Sequence, residues 1–313
     1  MVNFRYHLVS IIAVFLALAL GIVLGSYTIN PIVVKNLRSQ VSSLRSDKGS
    51  LRARVLELDS RVKRDAAFVS GVSPQLLDGE LDHQRVVIVR APDSPSSVAD
   101  DVAGAVTEAG GKVTATVNVQ DDWLDPTEVA VLDDLAGRLA EPGTTLPTGT
   151  AYERAATVLA GALLGKPHLT AAERTALAGF EEAKLISVSD NPSKGALLVF
   201  VPPDGVADPD DADRVATDEL AALARAFAAE GKGVVVAGAP GADQGSGLIN
   251  TIRADDTAKA TVSTVDDADT VAGVLRTVLA LVSERHGVTG QYGVGGGASA
   301  QVPAPLPTAT PTP

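Results

Sequence analysis

Three groups of residues have types and spacings from which chemistry could be built. The first is the run Gly238 to Gly247, GAPGADQGSG, which follows the apolar stretch Val234–Ala237. At the carboxyl end of a buried strand, such a loop is where α/β folds bind ligands, which makes Gly238, Gly241, Gly245 and Ser246 a candidate small-ligand loop, with Ser246 as helix cap. It lacks the Lys-Ser/Thr ending of a phosphate-binding loop and does not read GxGxxG, so a plain surface loop is the competing reading. The second group is acidic: Asp121-Asp122, then Asp208, Asp210, Asp211 and Asp213, then Asp255-Asp256, then Asp266, Asp267 and Asp269. Carboxylates suit hard cations such as calcium, but no EF-hand spacing is present. Asp208 before Pro209 reads as an N-cap with proline at the first helical position, and Asp266-Asp267 as the start of a helix whose dipole favours negative charge. The third group is the 4 histidines, His7, His83, His168 and His286, too scattered to form an HExxH-type pair. With no cysteine, there is no thiolate ligand, disulfide or sulfur nucleophile. Nothing resembles a GxSxG elbow. These residues predict neither an enzyme nor a metal site.

The elements that would position such groups begin with an uncharged run, Leu8–Leu24, bounded by Tyr6 and Tyr27. Extended through Ile29 it reaches the ~20 residues that cross a hydrocarbon core, with interfacial tyrosines at its ends. Gly21 and Gly25 form a GxxxG pair through which two such helices can approach closely. A cleaved signal peptide is the alternative, because Arg5 precedes the run and Ala17-Leu18-Ala19 resembles a cleavage site. Strong apolarity continues past that site, which favours an uncleaved single-pass anchor over residues 1–30. A single apolar helix suits the inner rather than the outer membrane. The short N-terminal stub and signal-like start place the bulk of the chain outside the cytoplasm, although Lys35, Arg38 and Arg45 give no positive-inside preference.

A heptad repeat follows, over residues 31–72. Leu37, Leu44, Leu51 and Leu58 occupy d positions, and Val34, Val41, Val55 and Val62 occupy a positions, with Lys48 filling the gap. Leucine at d with a β-branched residue at a favours a parallel two-stranded coil. Across that interface Asp47 would meet Arg52, and Arg54 would meet Asp59; such exposed pairs stabilise by ~0.2–1 kcal/mol and set alignment. The expectation is a homodimer.

Charge divides the chain. Up to Val69 there are ten basic and four acidic residues; beyond it there are sixteen basic and thirty-four acidic. The distal part should therefore repel nucleic acid. From 84 to 288, short apolar runs alternate with helical stretches. The strand-like runs are Val86–Val89, Val113–Val119, Leu185–Val188, Leu197–Val201, Val234–Ala237 and Thr261–Val265. Buried strands joined by helices predict an α/β domain with a mainly parallel, Rossmann-like sheet. Residues 289–313, rich in Gly and then Pro, Thr and Ala, are expected to be disordered.

The stretches His7–Ser26 (HLVSIIAVFLALALGIVLGS), Gly110–Val119 (GGKVTATVNV), Ser263–Asp269 (STVDDAD) and Gly290–Gly293 (GQYG) resemble the actinobacterial MctB family, also met as SteB, in order and spacing along nearly the full length. The resemblance implies an envelope protein of mycobacteria and corynebacteria-like organisms. Two roles attach to that family. One is copper efflux or resistance, described as an outer-membrane pore. The other is cell separation, with a cytoplasmic SteA-type partner and regulation of a peptidoglycan hydrolase. The residues fit these unequally. Copper(I) prefers thiolate and thioether ligands, and here the single Met is the first residue. A β-barrel needs repeated strands of ~10 residues with aromatic girdles, whereas aromatics are 4% of this chain. A dimeric scaffold fits better, with copper handling as the alternative and a ligand-sensing domain as a further one.

Overall fold

The computed structural model describes residues 4–27 and 31–304, without the side chains of residues 27 and 31–34. Tyr27 and Val34, named above for anchoring and for the coil, therefore lie outside the described side chains, and 305–313 outside the described residues. The chain separates into two compact units, 1–65 and 66–313.

In the first unit, α1 (Phe4–Tyr27) is one uninterrupted apolar helix, and Phe4–Ser26 is long and apolar enough to cross a membrane. The second helix, α2 (Pro31–Leu77), begins on proline, which is preorganised for a first turn. Its polar flanks carry i,i+4 pairs: Arg61 with Glu57, and Lys63 with Asp59 at 2.8 Å. Each such pair stabilises a helix by ~0.3–0.5 kcal/mol. Asp59, expected opposite Arg54 of a second chain, is thus engaged by Lys63 within its own helix.

The second unit is built on a sheet whose apolar strands alternate with helices. The strands are β1 (Arg85–Arg90), β2 (Lys112–Val119), β3 (Ile186–Val188), β4 (Leu197–Val201), β5 (Gly233–Ala237), β6 (Ser263–Val265) and β7 (Gln291–Tyr292). The connecting helices are α3 (Ser96–Glu108), then α4 (Val129–Leu139), α5 (Ala151–Leu163) and α6 (Ala171–Glu182) between β2 and β3. Further on come α7 (Asp211–Glu230), α8 (Leu248–Ala254), α9 (Asp256–Thr261) and α10 (Val271–Arg285). The strand order is β3-β2-β1-β4-β5-β6-β7. All neighbours are parallel except β2 and β3. Chain direction across the sheet reverses between β1 and β4, the switch point of doubly wound folds.

Period-two alternation sends successive side chains to opposite faces. Val87, Val89, Leu198, Phe200, Val234 and Val236 pack under α5 and α7. Val86, Ile88, Leu197, Val199, Val235 and Ala237 face α3, α10 and the end of α2, where Leu77 is buried. Phe200 meets Phe227 edge-on with ring centroids 6.0 Å apart.

Helix starts follow local chemistry that the apolar pattern does not reveal. Thr150 and Glu153, Thr170 and Glu173, and Asp210 and Asp213 form reciprocal capping boxes. The cap of α7 is therefore Asp210, not Asp208: its carboxylate accepts from Asp213 N at 2.9 Å, and the Asp213 carboxylate accepts from Asp210 N at 3.0 Å, just where the helix begins. Likewise α10 starts at Val271 under Thr270, whose hydroxyl accepts from Gly273 N at 2.9 Å. Asp266 and Asp267 do not open that helix; they have other partners. The Gly-rich stretch also departs from the expected disorder. Gln291 and Tyr292 extend the sheet, and residues through Gln301 are tied to the domain by hydrogen bonds.

Candidate functional site

The carboxyl ends of β5 and β6 carry the residues singled out from the sequence. The loop after β5 continues as a 3-10 turn over Pro240–Asp243 and then enters α8. Its glycines admit the protein's own backbone. Gly245 has φ +52, and a Cβ there would lie 1.9 Å from the Val206 carbonyl; at Gly241 it would meet Asp204 at 2.4 Å. The 202–207 loop thus lies against the candidate ligand loop and is pinned to it. Gly205 N donates to Gly241 O at 3.0 Å, and Ser246 Oγ accepts from Val206 N at 3.2 Å. Ser246 binds that loop and does not cap α8, whose N-cap is Gly247.

Beside this loop lies a buried ionic cluster centred on Arg253. Its Nη1 donates to Asp243 (2.9 Å), Asp266 (2.8 Å) and the Gly296 carbonyl (3.0 Å). Its Nη2 donates to Tyr292 O at 2.8 Å, and its Nε to Thr264 Oγ1 at 2.9 Å. Burial pushes the Asp243 carboxyl up; Arg253 opposes that shift, and the neighbouring Asp266 adds to it. Asp266 also accepts from Val294 N at 2.8 Å and Gly295 N at 3.0 Å. Asp267 pairs with Arg276, which in turn donates to Gln301 O. These carboxylates therefore fasten the segment after β7 over the strand ends. Gly293, at φ +136, is required there, since a Cβ would strike Asp266 at 2.1 Å.

Two carboxyls unremarked in the sequence are strongly shifted. Glu284 is raised to about 7 by burial, opposed by hydrogen bonds from Ser263 (2.6 Å to Oγ) and Thr289. Glu219 is raised to about 7 by burial and by Glu153 and Asp218, with Arg225 opposing. Only the adjacency Asp218-Glu219 hinted at the latter. The Glu173–Lys194 ion pair is likewise buried and unites α6 with the approach to β4.

The remaining sequence-named residues are dispersed. His7, His83, His168 and His286 are all exposed, and His83 sits in a left-handed turn at φ 62. Asp255 caps α9 through Thr257 N at 2.8 Å. Among the described residues, no group of three or more His, Cys, Asp or Glu is arranged to hold a metal ion.

A separate surface stands out in the first unit. Along α2 the heptad side chains are open: Leu37 is 60% exposed, Val41 41%, Leu44 67%, Leu51 59%, Val55 63%, Leu58 59% and Val62 65%. On α1, a side chain added at Gly21 or Gly25 would meet nothing within 4 Å.

Comparison with known proteins gives one consistent answer. A family model described as "Copper transport outer membrane protein, MctB" matches residues 1–303. The copper transporter MctB of Mycobacterium bovis is 31% identical over 315 residues, covering 95% of this chain and 98% of the relative. The protein of the same name from Mycobacterium tuberculosis gives the same values. That of Mycobacterium leprae is 30% identical over 314 residues, covering 96% of this chain and 98% of the relative. Since the match runs from the apolar N-terminal helix through the clasp beyond β7, the chain belongs to the MctB family.

Proposed function

We propose that this protein is a membrane-anchored scaffold of the MctB family that works as a parallel homodimer, non-catalytic in itself, and positions or regulates partner proteins at the cell envelope. The observation that carries this reading is the exposed a/d stripe of α2. An apolar stripe at a and d is the pattern of a coiled-coil interface, and burying each Leu or Val fully stabilises by ~1.5–3 kcal/mol. The GxxxG spacing of Gly21 and Gly25 on α1 supports pairing of the anchors in the same register. A cytoplasmic SteA-type protein and an extracytoplasmic peptidoglycan hydrolase are the partners this reading expects, with the α/β domain outside the cytoplasm.

The test is the mass of the full chain in detergent micelles at micromolar concentration, by light scattering with the detergent contribution subtracted. A dimer is expected, and Leu44→Asp with Leu51→Asp should give a monomer with unchanged melting of the α/β domain. A monomeric parent chain refutes the scaffold. A dimer that survives both substitutions moves the interface away from α2.

The relatives' name, copper transporter, favours a second reading, copper export or resistance. Copper would be cargo, and its ligands would have to come from assembled copies or a partner, given the scattered histidines and absent cysteines. Titrating the full chain with Cu(I) and Cu(II) against a competing chelator separates the two. Stoichiometric binding lost on substituting His83, His168 or His286 establishes a direct role in copper handling. Binding no tighter than the chelator's makes any copper effect indirect.

A further inference from the structure

In the second unit a groove of about 490 Å³ runs between the end of α2, α3 and α10. Its floor is apolar, with Leu77, Ala105, Val274 and Leu275. Its rim carries Asp100, Asp101, Glu108 and Asp269, with no basic side chain lining it among the described residues. Among the described residues none of these four carboxylates forms an ion pair. Burial, together with the carboxylates of Asp267 and Asp204, holds the Asp269 carboxyl above its ordinary range, against a local backbone hydrogen bond. The groove is thus a concentration of uncompensated negative charge around apolar surface.

Resting on the scaffold reading above, we infer that this groove is where the α/β domain receives a partner, and that the occupant is a cationic amphipathic helix of another protein. Helices laid in grooves bury an apolar face at i, i+3, i+4 and i+7, and basic residues flanking that face would meet the four carboxylates. Complementary charge at a rim steers encounter and sets salt dependence. The corresponding groove on a second copy carries the same carboxylates and would be repelled. Gly104 marks the floor: it lies mid-helix in α3, and a Cβ added there meets nothing within 4 Å, so the groove can be filled without disturbing the domain.

The test uses the full chain in nanodiscs of zwitterionic lipid. The probe is a fluorescent 16-residue helical peptide with leucine at i, i+3, i+4 and i+7 repeats and lysine elsewhere, alongside a version with glutamate for lysine. Fluorescence anisotropy should show binding of the lysine peptide alone, weakened at least tenfold in 0.5 M NaCl. Gly104→Phe, and separately Asp101→Lys with Glu108→Lys, should each weaken binding at least tenfold; Asp122→Lys, on the exposed turn after β2, should leave it within twofold. Equal loss from Asp122→Lys, or equal binding of the glutamate peptide, overturns the inference. So does an interchain disulfide formed by Asp101→Cys in this otherwise cysteine-free chain, which would give the groove to a second copy. Oligomeric mass from the same preparation keeps the two proposals apart. A dimer that ignores the peptide sinks the groove alone, and a monomer sinks the scaffold whatever the peptide does.

Discussion

Replacing Arg253 by leucine tests how the carboxyl end of the sheet is held. The residue is 8% exposed, and its side chain donates to two carboxylates, one hydroxyl and two carbonyls. Leucine fills much of the volume but leaves Asp243 and Asp266 buried without their cation. Breaking a buried ion pair from one side costs ~3–5 kcal/mol, because the remaining charge is stranded. At about 2–4 °C per kcal/mol for a domain of 150–250 residues, melting should fall by about 6–20 °C. The loss should depend on pH. Arg253 opposes the burial that raises the Asp243 carboxyl, so without it the folded-state value rises further. A carboxyl raised in the folded state favours folding fully below its unfolded value and loses that contribution as pH rises through the folded one. The deficit should therefore be smaller at pH 5 than at pH 8. Scanning calorimetry of the full chain in micelles measures both quantities, and limited proteolysis reports whether the Val294–Gln301 segment is released. A melting change under about 2 °C, or an equal deficit at both pH values, refutes the assigned role.

Glu284 offers a cleaner titration. Its folded value of about 7 lies above the ordinary 4.5, so its contribution is complete below about pH 4.5 and disappears as pH rises through 7. Glu284→Gln keeps an oxygen for the Ser263 hydroxyl and should be more stable than the parent at pH 8 by ~3 kcal/mol, with parity near pH 4.5 in urea melts; an unchanged pH slope would dismiss the assignment. Gly293→Ala should destabilise the domain by more than ~1 kcal/mol, since alanine disfavours φ +136 and its Cβ would collide with Asp266. Parent-like urea melts for that variant would mean the Asp266 clasp is not as described.

The sheet was legible because its strands are short, apolar and separated by helices long enough to cross over. β1, β2, β4 and β5 fall where the apolar runs lie. The antiparallel pairing of β3 was not legible, because Leu185–Val188 reads the same in either direction. The acidic pairs misled for a specific reason. A carboxylate at a helix start and one bonded to a buried arginine look alike until Arg253 and Arg276 arrive from other elements. Glycine-rich composition also misdirected: after β7 it serves close approach to Asp266. The acidic rim around Gly104 could be read only once α3 and α10 were side by side, since Asp269 is far from Asp100 in sequence.

β7 also determines when the domain can finish. Gln291 and Tyr292 leave the ribosome after every other strand and helix described, yet they are the outer partners of Thr264 and Val265. Until they arrive, β6 presents an unpaired edge, and Arg253 lacks the Tyr292 and Gly296 carbonyls that complete its shell. An edge strand in that state is a template for pairing with another chain. On the scaffold proposal, two such nascent domains joined by a coil formed upstream would be held at high local concentration during that interval. The length of that interval is set by translation of the stretch between β6 and β7.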